Sequence, residues 1–211
     1  LGATLSLHDT LFTNSNVIIT DNLSVGGTTY LFDTLTANSN IEVVGETTLG
    51  ATLSLHDTLF TNSNVIVTDN LSIGGTTYLF DTLTANSNVI IVGETTLGAT
   101  LSLHDTLFTN SNVIITDNLS VGGTTYLFDT LTANSNIEVV GETTLGATLS
   151  LHDTLFTNSN VIITDNLSVG GTTYLFDTLT ANSNIEVVGE TTLGATLSLH
   201  DTLFTNSNVI I

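Results

Sequence analysis

Leu5-Ser6-Leu7-His8-Asp9-Thr10 is followed without a break by Leu11-Phe12-Thr13-Asn14-Ser15-Asn16 and Val17-Ile18-Ile19-Thr20-Asp21-Asn22. Each six-residue phrase reads apolar, variable, apolar, variable, then Asp, Ser, Gly or Ala, then a variable residue. The phrase runs on through Thr47-Thr48-Leu49-Gly50-Ala51-Thr52, and Leu53-Ser54-Leu55-His56 starts the cycle again. Eight hexads therefore make one 48-residue unit. The units span 1–48, 49–96, 97–144 and 145–192, with a partial one at 193–211. The first, third and fourth are identical, and the second differs at Val67, Ile73, Val89, Ile90 and Ile91. Four of these five swaps exchange one β-branched apolar residue for another, as a packed strand position demands.

The period fixes the local structure. Odd positions are apolar, small or Asp, and even ones are mostly Thr, Asn, Ser, Glu, Gly or His. Strict alternation describes strands with one buried face. There is no 3.6-residue signal, and Thr, Val, Ile and Asn are poor helix formers. The expectation is an all-β chain in which each hexad supplies a strand of about four residues. Its Asp, Ser, Gly or Ala marks a corner.

Short strands with corners every six residues wind into a coil, a β-solenoid or a triple-stranded β-helix, with layers about 4.8 Å apart. The corner residues run Asp9, Ser15, Asp21, Gly27, Asp33, Ser39, Gly45 and Ala51. Stacking each hexad on its second neighbour lines up Asp9, Asp21 and Asp33, at about 1 kcal/mol or more per like-charge contact. An odd offset sets every Asp against Ser, Gly or Ala. Three hexads per turn in one chain meets this condition, and so does an intertwined trimer. Eight is not a multiple of three, which favours the trimer, where each layer holds three copies of one hexad.

Composition narrows the function. The 211 residues include 20 carboxylates and no Lys or Arg, a formal charge of -20. Nucleic-acid binding needs a basic footprint, so no nucleic-acid partner is expected. An anionic membrane surface is no better match, and no apolar run is long enough to insert. Electrostatic partners must be cationic: Ca2+, other counter-cations or a basic protein. A hydrophobic fraction of 41% in a regular pattern argues against disorder. The chain opens at Leu1 and stops inside a repeat at Ile211, and we expect a window of a longer array.

Chemistry-bearing residues all recur. His8, His56, His104, His152 and His200 each precede an Asp. Neighbours on a strand point to opposite faces, so these pairs form no dyad. Ser6 shares a face with His8, but no placed carboxylate orients the imidazole. Gly45-Glu46-Thr47-Thr48-Leu49-Gly50-Ala51-Thr52 has the glycine spacing of a phosphate loop without its Lys, so the glycines read as corners. Asp9, Asp21 and Asp33 are the weak Ca2+ candidates, a cation that wants six or more oxygens. The plainer reading is that each accepts backbone N–H bonds at its corner. Asn22-Leu23-Ser24 is an N-glycosylation sequon, repeated at Asn70, Asn118 and Asn166. Glu42 and Glu46 face outward and are solvated, and Ile90 stands in the Glu42 place of the second unit. Phe12, Ile18, Tyr30, Phe32 and Val44 are apolar at outward positions. Either the Tyr30–Phe32 strand is flipped, or the outside is sticky and touches neighbours.

Stretches such as Asn22-Leu23-Ser24-Val25-Gly26-Gly27-Thr28-Thr29 and Gly45-Glu46-Thr47-Thr48-Leu49-Gly50-Ala51-Thr52-Leu53 resemble the repetitive β-helical shafts of phage and viral fibres and of bacterial surface adhesins. The resemblance implies a structural rod, extracellular or on a cell or virion surface, often trimeric. The expectation is a non-enzymatic fibre, stalk or filament without a cofactor. It associates with itself as a homotrimer or fibre bundle. The alternative is an adhesin or ice-binding solenoid that presents a repeated surface.

Overall fold

In the computed structural model, which describes residues 2–211, the described chain is a succession of short strands and bends. Leu1, which opens the first unit, lies outside the described residues. The first three strands, β1 (Leu5–Leu7), β2 (Leu11–Thr13) and β3 (Val17–Ile19), begin six residues apart. They are followed by β4 (Leu23–Val25), β5 (Thr29–Leu31), β6 (Leu35–Ala37), β7 (Ile41–Val43), β8 (Thr47–Leu49) and β9 (Leu53–Leu55). Strands up to Leu203–Thr205 hold three residues rather than the expected four, because the fourth residue of each hexad already bends.

Each strand pairs in parallel with the third strand along. Leu5 stands beside Leu23, Ser6 beside Ser24 and Leu7 beside Val25. One turn is therefore three hexads, an 18-residue step also seen in the side-chain bonds between turns. Repetition builds three parallel sheets, of 12, 12 and 11 strands, which wall a triangular coil. We call them the first, second and third faces, holding β1, β2 and β3 respectively. At about 4.8 Å per step, twelve strands span roughly 53 Å.

The ladders join residues of one chain throughout, so the intertwined three-chain layer favoured by the eight-hexad period is not this winding. The physical reason is at the inward positions. These are filled by Leu, Ile, Val, Ala or Thr in every hexad, so any hexad fits on any face. The period has no need to match the turn. Successive copies of one hexad simply move round the triangle. His8 follows β1 on the first face and His56 follows β9 on the third.

The offset of three also settles the corners. Asp9 meets Gly27 one turn on, Asp21 meets Ser39 and Asp33 meets Ala51, so no Asp lies on another. The first and third residues of each strand point inward and the middle one outward. Leu23, Ile41, Leu59 and Val113 are among the residues forming one continuous dry core along the axis. Fully burying such a side chain contributes about 1.5–3 kcal/mol, and the backbone ladders satisfy the peptide groups between them.

Two glycines are required by close approach, not by unusual backbone: among the described residues no φ is positive. A Cβ on Gly26 would sit 2.6 Å from the His8 carbonyl oxygen, and one on Gly50 would sit 2.8 Å from that of Phe32. Glycine thus follows the bulky fourth-position residues His and Phe one turn later.

Candidate functional site

The outward residue of each strand is the one that varies in chemical character, from Ser and Thr to Glu, Phe, Tyr and Ile. Along the first face these residues run Ser6, Ser24, Glu42, Phe60, Tyr78, Thr96 and Ile114. Stepping by three through eight hexads visits all eight before repeating. Each face therefore reads the same cycle, offset along the axis, except that Ile90 takes the Glu place on the third. On the second face Phe12, Tyr30, Thr48 and Ile66 follow in order.

The Tyr30–Phe32 strand is not flipped. Thr29 and Leu31 are buried, while Tyr30 is 41% and Phe32 64% exposed. Phe12, Ile18 and Val44 are exposed as well, so the outward apolar residues do lie on the outside. Phe12 and Phe32 meet edge to face, with ring centroids 5.8 Å apart and planes at 75°. The same pair recurs as Phe60–Phe80, Phe108–Phe128 and Phe156–Phe176. With Tyr and Ile alongside, each pair forms an apolar patch on an otherwise acidic rod. The patches climb round the rod as a staircase, passing from the second face to the first, the third and the second again.

Shallow recesses open beside the patches. One, of about 370 Å3, is lined by Asn40, Ile41, Glu42, Thr58 and Phe60. A second, of about 360 Å3, is lined by Asn184, Ile185, Glu186, Thr202 and Phe204, the same five residue types three units later on the same face. On the third face the corresponding recess holds Ile90, Phe108 and Tyr126. Ile90 there removes the carboxylate that the other units provide.

Asp9, Asp21 and Asp33 follow β1, β3 and β5, on three different faces, so they occupy three different corners. Among the described residues no three His, Asp or Glu side chains gather as a metal would need. The three Asp types have different partners. Asp33 Oδ1 accepts the Thr34 N–H at 2.8 Å. Asp21 accepts from side chains, Thr4 Oγ1 at 2.9 Å and Asn22 Nδ2 at 3.0 Å. Asp9 accepts from the Thr10 hydroxyl at 3.5 Å. The Asp33 type takes a backbone N–H in the expected manner, as Asp81 and Asp129 also do. The five His residues are exposed and are not brought together.

The sequon asparagines have a structural task that the sequence reading missed. Asn40 N–H donates to Asn22 Oδ1 at 3.1 Å, and Thr58 N–H donates to Asn40 Oδ1 at 3.1 Å. Asn16 Oδ1 likewise accepts from Thr34 N–H at 3.2 Å. The sixth-position Asn thus carries the ladder across the corner, where strand pairing has lapsed. The signal was present: Asn22 and Asn40 are 18 residues apart, one turn.

A second missed feature lies inside. Thr29 and Thr47 are buried and stand side by side on adjacent strands. Neither hydroxyl has a hydrogen-bond partner, and the same holds for Thr77 with Thr95, Thr125 with Thr143, and Thr173 with Thr191. Comparison with protein-family models, curated proteins and solved structures gives no match for this chain.

Proposed function

We propose that the protein is a structural rod, a length of fibre, stalk or filament on an extracellular, cell or virion surface, built of 48-residue units of eight hexads. Its task is mechanical. Three parallel ladders and a dry core run the length of the coil, and the ladder bonds, each worth about 1 kcal/mol net, act in series. The observation that supports this reading most is the distribution of chemistry. Every His, Asp, Glu and aromatic residue recurs, and its copies are spread over two or three faces rather than gathered in one place.

The reading includes no catalytic step and no resident metal. Cations act as counterions to the -20 chain. Side-by-side association, as a trimer of rods or a larger bundle, proceeds through the aromatic staircase once salt screens the acid repulsion. An ice-binding role receives less support, because Thr36 stands between Ile18 and Ser54 on its ladder rather than in a uniform row of Thr. Negative-stain electron microscopy of the chain in low and in high salt tests the proposal. Rods in low salt that align side by side in high salt are expected. Compact globular particles, or rods that stay single at every salt and protein concentration, would overturn it.

A further inference from the structure

The carboxylates of this chain have no fixed cation to pair with, since it contains no Lys or Arg. Most are at corners, where Thr or Asn donors reach them. Glu42 is different: it is an exposed mid-strand residue, between Ser24 and Phe60 on its ladder. Its neighbour on the next parallel strand is Phe60, and the neighbour of Phe60 is Tyr78. All three point outward, about 4.8 Å apart along the ladder. The recess between Glu42 and Phe60 is lined also by Asn40 and Thr58.

A carboxylate beside the face of an aromatic ring is a receptor for an organic cation. The ring quadrupole attracts positive charge, and a guanidinium can stack on the ring while its N–H groups reach the carboxylate. We infer that Glu42–Phe60–Tyr78 and its repeats, Glu138–Phe156–Tyr174 and Glu186–Phe204, each hold an arginine side chain of a basic partner polypeptide. The ladder register is the same in all three. Charge decides the occupant. A second copy of this chain brings no Arg and no Lys, whereas a basic segment complements the -20 rod and is steered to it. Glu42 and Glu186 lie eight ladder steps apart on the first face, and Glu138 lies on the second. The third face has Ile90 in the Glu place, beside Phe108, and lacks the site. The inference does not depend on the rod bundling with itself.

The test is the binding of a fluorescent hexa-arginine peptide to the chain, read by anisotropy at 150 mM salt. The triple variant Glu42→Gln, Glu138→Gln, Glu186→Gln should weaken binding about tenfold. The control, Glu46→Gln, Glu142→Gln, Glu190→Gln, removes the same charge from the corners and should change it less than about twofold. Phe60→Leu with Phe156→Leu and Phe204→Leu should weaken binding with no change in charge. Ile90→Glu should strengthen it by adding a site on the third face. Equal losses in the two Glu triples would mean that long-range charge alone binds the peptide, and would overturn the inference. No loss in the Phe triple, or no gain from Ile90→Glu, would overturn it too.

Discussion

The inside and the outside of a single strand follow different rules in this molecule. In β5 the inward pair is Thr29 and Leu31 and the outward residue is Tyr30; in β7 the inward pair is Ile41 and Val43 and the outward residue is Glu42. Inward residues form a nearly uniform apolar column, while outward ones run through a cycle of eight. The second unit shows the same contrast. Its inward changes, such as Val67 and Ile73, stay β-branched and apolar, but its one outward change replaces a carboxylate with Ile90. The lesson is that folding constrains the inside at every step and leaves the outside open for contacts. Substitutions should therefore separate by side.

The largest effect is expected at the column itself. Leu107, fully buried, stands between Val89 and Thr125 on the adjacent strands. Leu107→Ala should cost about 2–5 kcal/mol in urea unfolding. A cost as small as that of a surface change would break the contrast between inside and outside. Next comes close approach between turns. Gly50→Ala places a Cβ 2.8 Å from the Phe32 carbonyl oxygen and should cost about 1–3 kcal/mol. A neutral result would mean that the turns stack less tightly than the ladders imply.

The buried Thr pairs sharpen the contrast from the other direction. Thr61, at the last position of its strand, donates its hydroxyl to the Ser63 carbonyl at 2.9 Å. Thr29, at the first position of its strand, is equally buried and has no partner. Thr29→Val should therefore stabilise the chain by roughly 1 kcal/mol, and Thr61→Val should destabilise it. The same sign at both sites would contradict the hydrogen-bond assignment. The smallest effect is expected outside. Tyr126→Ser should shift stability by less than about 0.5 kcal/mol, while reducing side-by-side association seen by light scattering.

Much of this was legible in the sequence. The six-residue rhythm gave the strands, and the Asp corners required an odd offset. The phase of Leu, Ile and Val gave the core. Thr29 was misleading only because Tyr30 beside it is the larger apolar group, which left the facing of that strand open. The period of eight hexads pointed toward three chains because it does not divide by three. That reasoning assumed that a repeat must return to the same face, and a core built of interchangeable hexads imposes no such condition. The Asn bridges and the Glu–Phe recess join residues 18 apart, so they become visible only once the length of a turn is known.

One chain closes each turn with three hexads. Spin labels at Glu42→Cys and Glu186→Cys, diluted with unlabelled protein, test it by dipolar distance measurement. These positions lie on β7 and on the strand Ile185–Val187, eight ladder steps apart on one sheet. The single-chain coil predicts a separation of about 38 Å. One layer per hexad, as in an intertwined trimer, would put them about 115 Å apart, and the absence of a distance near 38 Å would contradict the account.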